Sequence, residues 1–116
     1  MGKMESRFAD LVWEKAPIST AELAKVCQTA LGWQRTTMYT VLKRFCDERV
    51  FENDAGTVRV LIDRDAFYIA QSVKYVNDSF NGSLPAFFSA FSSGAKLTDE
   101  EIDELKEMIE GLKNHD

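Results

Sequence analysis

A mainly α-helical chain with one small β-hairpin is predicted by three observations. Apolar residues recur at helical spacing in three segments before residue 48, the period shortens to about two around the turn-rich stretch ENDAGT, and it lengthens again from residue 63 onward. At 116 residues the chain has room for a core that needs no cross-link.

The elements follow in order. Phe8, Leu11 and Val12 recur at helical spacing beside Trp13, which predicts a helix over 5–15. It stops before Pro17, because a proline disfavours the α conformation in the residue that precedes it. Residues 16–19 then form a short extended link. Ser19 with Glu22 three residues later is a capping box, opening a second helix of Ala21, Leu23, Ala24, Val26 and Cys27 that ends near Ala30. Leu31 and Gly32 make the turn. In a third helix, 34–48, Met38, Val41, Leu42 and Phe45 fall at i, i+3, i+4 and i+7, one stripe facing a core. Val50-Phe51 and the run VRVLI are two short strands joined by the six-residue loop ENDAGT.

Beyond the hairpin, Ala66, Ile69, Val73, Val76 and Phe80 form a heptad-like seam on a helix over 63–80, broken by Asn81-Gly82. A short apolar helix, 83–92, takes Pro85 in its first turn, where a missing N–H costs nothing. A linker, SSGAK, leads to a second capping box, Thr98 with Glu101, and to a last helix whose seam is Ile102, Leu105, Ile109 and Leu112. The organisation is therefore a domain over 1–62 and a helical region over 63–116. Narrow seams attached to a domain that already has a core predict burial against a second copy of the chain. The dimerisation candidates are Ile69, Val73, Val76, Phe80, Leu84, Phe87, Phe88, Phe91, Ile102, Leu105, Ile109 and Leu112. Phe87, Phe88 and Phe91 also admit an effector pocket, but rings at helical spacing favour the interface.

The net charge of −5 is unevenly spread. Residues 1–61 carry nine Lys/Arg against eight Asp/Glu, and residues 62–116 carry five against eleven. Only the first half offers a place for a phosphate backbone to dock. Two cysteines without a CxxC grouping, and no secretory apolar segment, predict a reduced cytoplasmic protein. Cys27 and Cys46 read as buried inert thiols, with a redox switch as the alternative. No apolar run approaches the roughly 20 residues of a membrane span. Trp13 and Trp33 read as core residues, and His115 as part of a disordered tail. Asp99, Glu100, Glu101, Asp103 and Glu104 open a helix, where negative charge complements the dipole. With no Ser-His-Asp set, phosphate loop or metal cluster, the expectation is neither an enzyme nor a cofactor binder.

Three helices followed by a hairpin is the order of a winged helix-turn-helix DNA-binding domain, with the third helix in a groove and the hairpin as the wing. This explains three threonines in one helix, where threonine is a mediocre former. Projected at 100° per residue, Thr36, Thr40 and Lys43 lie opposite the buried stripe, flanked by Tyr39 and Arg44, with Thr37 nearer the core edge. A threonine offers a hydroxyl to base edges and a methyl to thymine, and Lys43, Arg44 and Arg49 are placed to neutralise phosphates. The plainer reading is a capping threonine on a solvated basic face.

The segments LVWEKAPISTAELAKV, WQRTTMYTVLKRF, GSLPAFFSAF and LTDEEIDELKEMIEGL, in this order over nearly the whole chain, resemble the penicillinase repressor family of bacterial winged-helix regulators. The resemblance implies a homodimeric repressor whose N-terminal domains bind a pseudo-palindromic operator in double-stranded DNA while the C-terminal helices hold the dimer. It places base reading on Thr36, Thr37, Tyr39 and Thr40, backbone contacts on Lys43 and Arg44, and Arg59 on the wing. With Arg35 at the head of the helix, the DNA-contact set is Arg35, Thr36, Thr37, Tyr39, Thr40, Lys43, Arg44 and Arg59.

The chain departs from the family in four places. Where antibiotic-responsive members are cleaved at an Asn-Phe bond, it has Phe87-Phe88, so cleavage with that specificity is not expected; the sequence leaves an inducer, a sensor protease and a partner all open as the trigger. Its end, GLKNHD, lacks the paired CxC motifs of copper-responsive members, so copper sensing by that route is not expected. The usual glycine after the third helix is replaced by Arg49-Val50, and ENDAGT carries two acids where relatives have basic residues. Those acids predict weaker wing contacts and a lower salt slope, and they also motivate a rival reading as a protein-interaction module that does not bind DNA.

Overall fold

The computed structural model describes residues 1–114; His115 and its expected tail lie outside them. Lys3–Lys15 forms α1, which buries Phe8, Ala9 and Val12. It ends at Ala16, turned extended ahead of Pro17. The expected link contains a strand, β1 (Ile18–Ser19). Two residues are too few for a strand to announce itself by alternation, so nothing in the sequence marks it.

Thr20–Leu31 is α2, where Ser19 Oγ accepts the Glu22 N–H at 3.1 Å. It closes on Gly32 at φ 70°, a left-handed position that suits a residue with no Cβ. Arg35–Asp47 is α3, and its buried residues are Met38, Val41, Leu42 and Phe45, as the spacing predicts. Its end is a Schellman motif: the Val50 N–H donates to Phe45 O and the Arg49 N–H to Cys46 O, each at 3.0 Å. Arg49 takes the left-handed position itself, at φ 62°. Phe45 and Val50, the apolar pair that accompanies such a motif, are both in the core.

The hairpin is tighter than ENDAGT suggests. Strands β2 (Phe51–Asp54) and β3 (Thr57–Val60) pair through Asp54 and Thr57, leaving only Ala55-Gly56 as the turn. Both turn residues have positive φ, 51° and 93°, as a two-residue type I′ connection requires. The sheet runs β1-β3-β2, with all pairs antiparallel. Because β2 is an edge strand that buries only Phe51, its Glu52, Asn53 and Asp54 remain in water, and their loop-like composition concealed the strand. Asn53 Oδ1 accepts the Gly56 N–H at 3.0 Å, and the Thr20 N–H donates to Gly56 O at 2.9 Å. The wing tip is thereby fastened to the start of α2.

Residues Met1–Gln71 form one compact unit and the chain from Ser72 onward a second. The first is centred on Phe8, Val12, Leu23, Met38, Leu42, Phe45, Phe51, Val58 and Phe67. Burial of each large side chain contributes about 1.5–3 kcal/mol. Trp13 meets Phe51 and Phe67 edge-on or tilted at 5.5 Å and donates its Nε1–H to Ile62 O at 2.9 Å. Trp33 stacks on Phe8 at 5.5 Å. Both tryptophans are packing residues.

Helix α4 (Arg64–Phe80) contributes Phe67 and Tyr68 to the first unit and Tyr75 and Phe80 to the second. Helices α5 (Leu84–Gly94) and α6 (Asp99–Lys113) complete the second. Helix α5 runs past the expected end at Ser92 through Ser93 and Gly94, with the Ser92 and Ser93 hydroxyls donating to Ser89 O at 3.2 and 2.8 Å. Thr98 and Glu101 make both halves of a capping box. Phe87 lies against Tyr75, Phe80 and Phe91, yet neither α5 nor α6 has a buried residue.

Candidate nucleic-acid interface

Because the Met38–Phe45 stripe is committed to the core, the remaining faces of α3 must point to water. Arg35, Thr36, Thr37, Tyr39, Thr40, Lys43 and Arg44 are all exposed. Thr37, expected nearer the core edge, is exposed with the others. Arg59 stands apart from this group, on β3.

The hydroxyls are not equivalent. Thr40 donates its Oγ1–H to Thr36 O at 2.9 Å, one turn back. Its hydroxyl is thereby left with acceptor lone pairs and its methyl for any base edge. Tyr39, on the flank, is held by its neighbours: hydrogen bonds from the side chains of Thr20 and Arg35 lower its pKa from the ordinary 10.0. The Arg35 guanidinium lies over the Tyr39 ring, 5.8 Å from its centroid.

Three of the basic residues already have carboxylate partners. Lys43 Nζ is 3.1 Å from Asp47, Arg44 is 2.7 Å from Glu5 on α1, and Arg59 is 3.7 Å from Asp54 across the wing. Lys43–Asp47 and Arg59–Asp54 are exposed, while Arg44 meets a half-buried Glu5; pairs this accessible to water contribute about 0.2–1 kcal/mol each. A phosphate therefore competes with a weakly held carboxylate rather than meeting a bare cation. The Lys43–Asp47 pair is legible in the sequence as an i, i+4 spacing. The Glu5–Arg44 and Thr20–Tyr39 contacts, by contrast, leave no local pattern in the sequence, the first spanning 39 residues.

Of the cysteines, Cys46 lies on α3 beside Asp47 and is half-buried rather than buried. Cys27 is fully buried, and burial pushes its thiol up to about 11; burial also raises Cys46. Among the described residues, no group of three or more His, Cys, Asp or Glu is placed to hold a metal ion. No helix of the described residues is long and apolar enough to cross a membrane.

On the dimerisation candidates, Ile69 is 67 % exposed and Leu112 73 %, and Val73, Leu84, Phe88, Phe91 and Ile109 are also open to water. Val76, Phe80, Phe87, Ile102 and Leu105 are half-buried. So many exposed large apolar side chains on α4, α5 and α6 constitute a surface that ordinary monomers avoid.

The penicillinase repressor family model matches residues 1–111. A curated protein named penicillinase repressor, from Bacillus licheniformis, is 28% identical over 114 residues, spanning 95% of this chain and 89% of the relative.

Proposed function

Because the chain belongs to the penicillinase repressor family, and is accordingly a DNA-binding transcriptional repressor, we propose that it acts in the cytoplasm as a homodimer on a pseudo-palindromic operator. Helix α3 enters the major groove, and the two half-sites lie about one helical turn apart or slightly more. The observation that carries this reading is the outward face of α3. Thr36, Thr37, Tyr39 and Thr40 cluster toward its N-terminal half, where recognition helices meet base edges, and Lys43 and Arg44 follow toward its end. Arg59 extends the phosphate contacts onto the wing.

The second copy follows from α5 and α6. Helices that bury none of their own residues, yet carry Leu84, Phe88, Phe91, Ile109 and Leu112 in the open, are stabilised by covering those side chains with their symmetry mate. Release from DNA then requires an inducer, a sensor protease or a partner acting on the dimer. Sedimentation of the free chain and of its complex with a two-half-site duplex tests the assembly. A dimer in both is expected, and a monomer in both overturns it.

A further inference from the structure

Three cations project from α3, and one is held differently from the others. Lys43 and Arg44 each face a carboxylate, whereas Arg35, the first residue of the helix, has no ion-pair partner among the described residues. Its guanidinium instead lies against Tyr39, four residues on, over the ring and hydrogen-bonded to the hydroxyl, which Thr20 at the start of α2 also bonds. A ring face attracts a guanidinium without neutralising its charge. Arg35 therefore remains charged and restrained in direction, with no carboxylate claiming its N–H groups.

That state suits a ligand with two convergent acceptors. In the major groove guanine presents such a pair on a single base edge, N7 and O6, and the arginine fork matches it. Phosphates are already served by Lys43 and Arg44 further along the helix. We propose that Arg35 reads a guanine in each half-site, forked onto N7 and O6, with Tyr39 as the positioning residue that holds the guanidinium ready. This rests on the operator-binding reading and adds a named base to it.

The test begins with selection of duplexes from a randomised library by the full chain. Affinities are then measured with 7-deazaguanine, which lacks the N7 acceptor, in place of each selected guanine. The enriched half-site is expected to contain one guanine at which this replacement weakens the wild type roughly tenfold. Arg35→Ala should bind both duplexes alike, and Arg35→Lys, which keeps the charge but not the fork, should keep the wild-type salt slope with a smaller discrimination. Tyr39→Leu should shrink the discrimination severalfold, while Tyr39→Phe, which keeps the ring but loses the hydroxyl bonds to Thr20 and Arg35, should fall between that variant and the wild type. An enriched half-site without guanine, or an equal 7-deazaguanine penalty in wild type and Arg35→Ala, would overturn the proposal and leave the repressor reading standing. Discrimination untouched by Tyr39→Leu would remove the positioning role. Failure to enrich any sequence would overturn both readings.

Discussion

The Arg44 guanidinium on α3 lies 2.7 Å from the Glu5 carboxylate on α1, so a phosphate reaching Arg44 must displace a carboxylate first. Glu5→Gln removes the competitor and keeps the shape of the side chain. Its expected effect is a gain of about two- to fivefold in affinity for all duplexes alike, the range of a pair this accessible to water. Arg44→Ala should weaken all duplexes and lower the salt slope by about one. Anisotropy titrations across a salt series measure both; a sequence-dependent effect of Glu5→Gln would contradict the competition.

Thr37 and Lys43, both exposed on α3, should separate cleanly in mutants. Thr37→Ala is expected to change which operator variants are preferred, by about 1–3 kcal/mol at the affected base pair. Lys43→Ala should lower affinity uniformly, with a smaller salt slope. Unchanged affinity and slope in Lys43→Ala would show that α3 does not dock as proposed.

Three non-glycine residues hold left-handed backbone at the ends of ordered elements, Arg49 at φ 62°, Ala55 at φ 51° and Asn81 at φ 51°; asparagine tolerates that region, whereas arginine and alanine rarely do. Arg49→Gly removes the Cβ clash at the Schellman position, and Ala55→Asn supplies the residue that type I′ turns favour. Each is expected to stabilise the free protein by about 0.5–1 kcal/mol, raising Tm by a few degrees. Thermal melts without DNA check this.

The Cys27 thiol, pushed up to about 11 from an ordinary 9.0, keeps its proton where the unfolded chain loses it. Its contribution to stability is therefore whole below pH 9. It is lost between about pH 9 and 11, at up to about 1.4 kcal/mol per pH unit. Urea melts at pH 8 and pH 10 should show the fall, and Cys27→Ala should flatten it. At pH 8 the thiol should resist alkylation in the native state, and peroxide should leave DNA affinity unchanged.

The helices were legible in the sequence because each has a full-length apolar stripe, and Met38, Val41, Leu42 and Phe45 occupy the core as their spacing requires. The wing was legible in outline only. Its edge strand needs one apolar residue, Phe51, so composition read Glu52 to Asp54 as loop, and β1 is too short to carry a period. The outward face of α3 could be projected from helix geometry. Its electrostatics could not, since the Arg44–Glu5 pair and the Thr20–Tyr39 contact join residues far apart in the chain.

The most direct measurement is anisotropy of labelled duplexes, comparing fragments of the chain's own upstream region with a random control at two salt concentrations. Tight, fragment-selective binding that weakens as salt rises is the expected result for an operator-binding repressor. Equal and feeble binding to both fragments, indifferent to salt, would contradict it and turn attention to a winged-helix module whose partner is a protein.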